Sequence, residues 1–298
     1  MSFFEVVQPE FETFILGNAP VKKIAEGFDW VEGPVWFGDA NCLLFSDIPN
    51  NRIMRWSPKY GISVYREPAY FSNGHTRDRQ GRLISCQHGT RSVTRTELDG
   101  SVTVLADSYD GKKLNSPNDV VVKSDDSIWF TDPHYGIMSN YEGYKAEQEI
   151  PCYVYRLDPA TGALEAVITD MNCPNGLAFS PNEDRLYVAD TGRVSGDDPQ
   201  HIRVYKVASN KVSDGCVFHT INPGCADGFR LDTDGNLWSS AADGVHCMSP
   251  DGVLLGKILV PELVSNICFG GREKHQLFIT ATTSVYMISL NRKGCVLP

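Results

Sequence analysis

The sequence lacks the long apolar run that a membrane-spanning helix requires. Such a helix needs roughly 20 consecutive apolar residues, and no stretch of this chain comes near that length. The first residues include an acid where a signal peptide carries basic residues, so we expect a cytoplasmic protein. The net charge of −10 argues against nucleic acid and anionic membranes as partners, and it suits a protein that holds a cation.

Several familiar site motifs are missing as well. The chain has no C-x-x-C, H-x-H or H-x-x-x-H pattern, which argues against a zinc finger or a histidine-rich zinc site. It also has no P-loop, no G-x-G-x-x-G and no G-x-S-x-G motif, which argues against the common nucleotide sites and the serine-hydrolase elbow. The nine cysteines are an odd number and are scattered in or beside apolar segments, so we expect buried, reduced thiols.

The sequence contains a strand-start pattern that recurs six times. Six segments begin with a residue that carries a side-chain carbonyl or carboxylate and continue as a short strand: 32–36, 73–77, 118–122, 175–179, 227–231 and 266–270. Their first residues are 41, 45, 57, 52 and 39 positions apart. A repeat of this length that returns to a strand each time is typical of a β-propeller blade.

The segments that follow each start predict the architecture. A turn rich in Asp, Gly and Asn leads to a second strand, then a third, and in five of the six units a fourth. The sixth unit lacks its fourth strand, and residues 21–27 provide a spare one that we expect to close the ring. We therefore predict an all-β, six-bladed propeller with four-stranded blades. We expect one domain over residues 1–298, with about the first 20 residues as an extension. A β-sandwich does not explain the sixfold register.

Four of the strand starts are candidate metal ligands. Glu32, Asn118, Asn175 and Asp227 each lie where a side chain reaches the propeller axis. Turn chemistry alone explains Asn and Asp at such positions, but it does not explain Glu32, and two acids facing each other near an axis are costly without a cation. Oxygen-only ligands select calcium first, with magnesium or manganese as the alternatives. Four protein ligands leave coordination positions open for water and substrate.

A second group of residues is expected to bind substrate. Antiparallel order places the loops between second and third strands over the axis, and two of these loops, 132–151 and 191–200, are long enough to be functional. The first carries His134 and Tyr135, which we expect to contact substrate. Asn73 shares the sixfold register and is also assigned to substrate binding. His75 is assigned to substrate binding too, although packing between blades is an equal alternative for it. Asn266 shares the register and either holds a turn or lines the pocket.

Five motifs in order resemble those of a known family: WVEGPVW at 30–36, NSPNDVVV at 115–122, IWFTDPHYG at 128–136, PNGLAFSP at 174–181 and ADGFRLD at 226–232. They are similar to motifs of the gluconolactonase, regucalcin and diisopropylfluorophosphatase family, from about residue 27 to about residue 290. The resemblance implies a six-bladed propeller with one divalent cation on its axis, held by Glu32, Asn175 and Asp227, with Asn118 contacting the metal, the substrate or both. Animal regucalcins carry Arg where this chain has Ser116, so the motifs look more like those of bacterial sugar lactonases.

These observations predict a metal-dependent hydrolase whose partner is a small-molecule sugar lactone. Asp227 is the candidate general base because a carboxylate beside the metal is placed to accept a proton. Asn118 would orient the substrate. Two alternatives remain open: hydrolysis of phosphotriesters at the same site, and a calcium-binding propeller without catalysis. A metal site fully closed by protein ligands would mark the latter.

Overall fold

The computed structural model describes residues 3–192 and 199–295. The N-terminal segment packs along the outside of a ring of β-sheets. This segment contains strand β1 (Phe4–Val6), a 3-10 helix (Pro9–Thr13) and strand β2 (Lys22–Glu26). The remaining strands form antiparallel meanders in which each strand pairs with the next one along the chain.

The first three blades follow directly. Blade 1 contains β3 (Val31–Phe37), β4 (Cys42–Asp47), β5 (Arg52–Ser57) and β6 (Gly61–Arg66). Blade 2 contains β7 (Ser72–Arg77), β8 (Leu83–Gln87), β9 (Ser92–Thr96) and β10 (Val102–Ala106), and a small hairpin follows it, β11 (Ser108–Tyr109) and β12 (Lys112–Lys113). Blade 3 contains β13 (Val120–Val122), β14 (Ile128–Asp132), β15 (Tyr153–Leu157) and β16 (Leu164–Ile168), with a one-turn helix α1 (Tyr135–Met138) in the loop after β14.

The last three blades complete the ring. Blade 4 contains β17 (Pro174–Phe179), β18 (Arg185–Thr191), β19 (Gln200–Ala208) and β20 (Lys211–Thr220). Blade 5 contains β21 (Phe229–Leu231), β22 (Leu237–Ala241), β23 (Gly244–Met248) and β24 (Leu254–Leu259), and β1 adds a fifth strand to its outer edge. Blade 6 contains β25 (Val264–Gly270), β26 (Gln276–Ala281) and β27 (Ser284–Ser289).

The predicted ring closure is confirmed. Strand β2 pairs antiparallel with β27, with Lys22 opposite Met287 and Glu26 opposite Ser284, so the N-terminal strand supplies the outer edge of blade 6. Each innermost strand contacts the innermost strands of both neighbouring blades, and β25 contacts β3. Over the described residues, the strands therefore form a six-bladed propeller, and the innermost strand of each blade faces the enclosed axis.

Packing between blades explains why the second strand of each blade is so apolar. All residues of β4, β8, β14 and β22 are buried, because each of these strands lies between two neighbouring blades. The outermost strands β6 and β10 are largely exposed. No helix in the described ranges is long and apolar enough to cross a membrane.

The N-terminal residues are packed more firmly than an extension suggests. The Phe11 side chain is completely buried against Phe14 and Trp238. A Cβ placed on Gly256 would lie 2.2 Å from the Phe11 ring, so this glycine of β24 provides the space that the ring fills. The segment before β2 thus covers the outer face of blades 5 and 6.

Candidate metal centre and substrate cavity

Two of the four candidate ligands, Glu32 and Asn175, lie at irregularities of the innermost strands. The register shifts between Glu32 and Val35 in β3, and between Pro174 and Leu177 in β17. Corresponding shifts occur at the starts of β7 and β25. A bulge bends a strand and redirects its side chains. The sequence therefore builds at each of these starts a local bend that exposes the leading side chain near the axis.

Glycine after the leading residue lets neighbouring blades approach each other. A Cβ on Gly33 would lie 2.0 Å from the backbone oxygen of Asn73, and one on Gly176 would lie 2.1 Å from the backbone oxygen of Asp227. The Gly176 N–H also donates a hydrogen bond of 3.0 Å to that Asp227 oxygen. Any larger residue would separate the blades, so the Glu-Gly and Asn-Gly pairs of the repeat have a steric cause.

The leading side chains meet in one cavity of about 470 Å³ at one end of the axis. Its lining contains all four candidate ligands, Glu32, Asn118, Asn175 and Asp227, together with Asn73. Tyr135 lines the same cavity from the loop between β14 and β15. The geometry thus brings together six of the eight residues that the sequence singled out.

The surroundings of Glu32 disfavour its charged form. Burial raises the pKa of Glu32 well above its usual range, and the nearby Asp227 carboxylate raises it further. Hydrogen bonds from Asn266 Nδ2 (2.9 Å) and the Gly33 N–H (2.6 Å), both to Glu32 Oε2, oppose this shift. Asn266 therefore orients the Glu32 carboxylate.

Unpaired oxygen atoms provide a direct test of whether a hard cation fits. Among the described residues, the buried atoms without a hydrogen-bond partner include Glu32 Oε1, Asn175 Oδ1 and Asn73 Oδ1, and all three residues line the cavity. A buried oxygen without a partner costs roughly 1–3 kcal/mol. Carboxylate and amide oxygens are the donors that calcium and magnesium prefer. The donor set therefore fits a hard divalent cation.

His88 fixes the orientation of the Asn73 amide. The His88 Nδ1 atom lies 2.9 Å from the backbone oxygen of Glu142, which can only accept, so Nδ1 carries the proton. The other ring nitrogen, Nε2, then accepts from Asn73 Nδ2 at 3.3 Å. Burial lowers the pKa of His88 to about 4, which keeps the ring neutral. Asn73 Oδ1 is left facing the cavity as an acceptor.

The loop between β14 and β15 forms one wall of the cavity and is anchored at both ends. The Asn115 side chain donates to the backbone oxygens of Asp132 (3.1 Å) and Pro151 (3.2 Å). Ser116 Oγ donates to the Pro133 oxygen at 2.7 Å and accepts from the Gly136 N–H at 2.9 Å. Ser116 is completely buried. Its side chain therefore anchors the start of the loop after β14.

Tyr135 links this wall to the next blade. Its hydroxyl donates a hydrogen bond of 2.6 Å to the backbone oxygen of Thr191, which also lines the cavity. Burial raises the pKa of Tyr135 well above its usual range, so the hydroxyl stays protonated and donates. Residues 193–198, which make up most of the second long loop, lie outside the described residues.

Several lining residues were not assigned from the sequence, and three of them are Trp30, Tyr141 and Glu142. Trp30 lies two positions before Glu32, and Tyr141 and Glu142 belong to the loop between β14 and β15. Burial raises the pKa of Glu142, so a third carboxyl group faces the cavity with a tendency to be protonated. For Tyr141 and Glu142, the only available signal was the composition of the loop, which is rich in tyrosines and acids.

The position of His75 does not support its assignment to substrate binding. Its two ring nitrogens each lie 2.8 Å from a serine hydroxyl, Ser46 on blade 1 and Ser85 on blade 2. Burial lowers its pKa to about 3, so the ring is neutral. His75 lines a separate cavity of about 60 Å³ together with Arg230. The alternative of packing between blades describes its surroundings.

His134 also lies away from the described lining of the substrate cavity. Its Nδ1 atom lies 3.3 Å from the Cys152 sulfur and 3.6 Å from the Cys173 sulfur. The ring therefore faces two thiols and not the cluster of oxygens. Its neighbour Tyr135 occupies the position on the cavity that both residues were expected to share.

A known protein family matches most of the chain. The family model described as "SMP-30/Gluconolactonase/LRE-like region" matches residues 30–283, which covers all six leading residues. The chain belongs to this family. The family assignment agrees with the six blades of the ring and with the position of the oxygen cluster at its axis.

Two curated members of the family and one solved structure are similar to the chain. A gluconolactonase of Zymomonas mobilis is 33% identical, over 96% of this chain and 85% of that protein. A pentonolactonase of Haloferax volcanii is 28% identical, over 84% of this chain and 80% of that protein. The structure of a gluconolactonase from Xanthomonas campestris superimposes with a TM-score of 0.91 at 35% identity, covering 96% of this chain and 94% of the other.

Proposed function

We propose that this chain hydrolyses sugar lactones to the corresponding aldonic acids with the help of one divalent cation. The observation that carries the proposal is the cavity in which Glu32, Asn118, Asn175 and Asp227 converge, where Glu32 Oε1 and Asn175 Oδ1 are buried without a hydrogen-bond partner. The relatives described above include a gluconolactonase and a pentonolactonase, which supports a lactone as the substrate class.

The four converging side chains would hold the cation, with calcium favoured because all donors are oxygens. When bound, the cation supplies charge that polarises the lactone carbonyl oxygen. Two carboxylates among the four donors would balance its charge. The cavity volume of about 470 Å³ leaves room for a single sugar ring beside the donors.

The other residues of the cavity would bind and orient the substrate. Asn73 Oδ1 is held as an acceptor by His88, so it suits a sugar hydroxyl that donates a hydrogen bond. Trp30 offers an apolar face, and Tyr141 lies at the exposed side of the cavity. Asn118 would orient the lactone, because its amide lines the cavity between Asn73 and Asn175.

Asp227 is the proposed general base for the attacking water. Its carboxylate lines the cavity close enough to Glu32 to raise that residue's pKa, and it is less buried than Glu32. A more accessible carboxylate is better placed to accept a proton from water and return it to the leaving hydroxyl. Glu142 is the competing candidate, because it is a further carboxyl group on the same lining.

A panel of substrates with controlled metal content tests the proposal. Protein freed of metal by a chelator should not hydrolyse D-glucono-1,5-lactone or pentonolactones, and calcium, magnesium or manganese should restore the rate. The same panel should contain phosphotriesters at equal concentration, which we expect to react more slowly. Full lactone hydrolysis by protein shown by elemental analysis to be metal-free would refute the metal-dependent mechanism.

A further inference from the structure

A second cluster of potential metal ligands lies next to the substrate cavity, and it is made of soft donors. His134 follows β14, Cys152 precedes β15 and Cys173 precedes β17, so three separate chain segments from two blades meet here. The His134 nitrogen and the two sulfurs all lie within 4.8 Å of one another. Both thiols are buried and the histidine is half-buried.

The spacing of these atoms matches a tetrahedral metal site. With bonds of ~2.3 Å to sulfur and ~2.05 Å to nitrogen, tetrahedral angles place the nitrogen ~3.6 Å from each sulfur. The observed nitrogen–sulfur distances are 3.3 and 3.6 Å. The same angles place the two sulfurs ~3.8 Å apart, and in the structure they lie within 4.8 Å of each other.

We propose that His134, Cys152 and Cys173 bind a zinc ion, at a site separate from the oxygen cluster. Sulfur and imidazole donors select zinc over calcium and magnesium, whereas the oxygen donors of Glu32 and Asp227 have the opposite preference. Three protein ligands leave a fourth position for water. Binding converts the two thiols to thiolates and releases their protons to solvent.

Zinc at this position would hold the wall of the cavity. His134 is adjacent in sequence to Tyr135, whose hydroxyl bonds to Thr191, and Cys173 lies two residues before Asn175. A metal bridge between blades 3 and 4 would therefore fix the loop after β14 relative to the start of β17. We expect zinc-loaded protein to exchange backbone amide hydrogens of residues 133–152 more slowly than zinc-free protein.

The test uses full-length, reduced protein that is saturated with calcium, so that the oxygen site does not take up added metal. After incubation with zinc and removal of unbound metal, elemental analysis should find one zinc per chain. Cobalt added in place of zinc should show thiolate-to-cobalt charge-transfer absorption in the near ultraviolet. Cys152→Ala and His134→Gln should each weaken zinc binding by more than about tenfold, because even partners outside the first coordination sphere contribute that much.

Cys42→Ala provides the matched control, since Cys42 and Cys152 are each 6% exposed and Cys42 lies on β4 of blade 1. This variant should bind zinc and cobalt like the wild type.

If Cys152→Ala folds poorly, His134→Gln decides whether the site binds zinc, because the half-buried His134 side chain can be replaced with less disruption. The proposal is overturned if the wild type retains no more zinc than His134→Gln, or if cobalt gives no thiolate band. Isolation of a Cys152–Cys173 disulfide from protein whose reduced form binds no zinc would also overturn it.

Discussion

Replacing Glu32 by glutamine should stabilise the metal-free protein and destabilise the calcium complex. The Glu32 carboxylate is buried beside Asp227, and these two causes raise its pKa. Glutamine keeps an oxygen to accept from Gly33 and Asn266 but removes the charge. Without metal, the substitution therefore relieves repulsion. With metal, it removes one of the two charges that hold the cation.

The expected size of the calcium effect follows from binding linkage. At a calcium concentration of 100 times Kd, the wild type gains ~2.7 kcal/mol. A chain of 298 residues has an unfolding entropy of ~0.6 kcal/mol per degree, so the melting temperature should rise by ~4 °C. Removing one partner of a buried charge pair costs about 3–5 kcal/mol, which weakens binding at least about a hundredfold. The variant should then gain only ~0.4 kcal/mol, or less than ~1 °C.

Differential scanning calorimetry on chelator-treated protein, with and without calcium, measures both effects. Without calcium, the variant should have the higher melting temperature. When calcium is added, the melting temperature of the wild type should rise by more than that of the variant. Glu142→Gln serves as the control, because Glu142 lines the same cavity outside the four donors, so its calcium shift should equal that of the wild type. A Glu32→Gln variant that melts lower without metal and keeps the full calcium shift would refute the assignment.

Three further substitutions test other parts of the argument. Asp227→Asn at saturating calcium should lower kcat by roughly 10²–10⁴-fold, as expected for a lost general base. If instead Glu142→Gln lowered kcat by this factor and Asp227→Asn kept a near-normal kcat, Glu142 would be the general base. Phe11→Ala should lower the free energy of unfolding by about 3–5 kcal/mol because the Phe11 side chain is fully buried. Phe3→Ala, at an exposed position, should change it little. Equal urea midpoints for the two variants would show that the N-terminal segment does not stabilise the propeller. Ser116→Ala should leave the Pro133 and Gly136 backbone groups unpaired, cost about 1–3 kcal/mol and raise KM; an unchanged KM would show that this anchor does not shape the cavity.

The fold was predictable because every blade repeats the same local requirements. An oxygen-bearing residue lies within two positions of the start of each innermost strand. Several of these residues are followed by a glycine where the neighbouring blade comes within contact distance, as at Gly33 and Gly176. These residues are local in sequence and recur six times, so they are visible without any structure. Ring closure followed from counting strands, since a sixth blade with only three strands needs an edge from elsewhere.

The N-terminal segment was less predictable because its contacts are distant in sequence. Strand β1 has only three residues, and its partner is β24, with Phe4 opposite Ile258. A three-residue strand shows no alternation that sequence analysis can detect. Phe11 packs against Gly256 and Trp238, and nothing near Phe11 in the sequence indicates these partners.

His75 shows that a place on an innermost strand does not by itself bring a side chain to the axis. The register of β7 shifts between Ser72 and His75, so side chains after the bulge point in directions that simple alternation does not give. Asn73 keeps its place on the cavity, while His75, two residues later, turns between Ser46 and Ser85. Strand periodicity locates the start of a blade, but the bulge decides which side chains reach the axis.

The two clusters of metal donors differ in how their residues are spaced along the sequence. This difference explains why sequence analysis predicted the oxygen cluster and not the cluster of soft donors. The oxygen donors occupy the same position in successive repeats, so Glu32 and Asp227 reveal each other even though 195 residues separate them. The soft donors share no repeat position: Cys152 and Cys173 lie 18 and 39 residues after His134, one within blade 3 and the other directly before blade 4. Their proximity arises because the ends of the loop after β14 meet the start of β17, which contacts β14 in the folded ring. A search for short cysteine or histidine motifs cannot detect such a site, since its ligands become neighbours only through the packing of two blades.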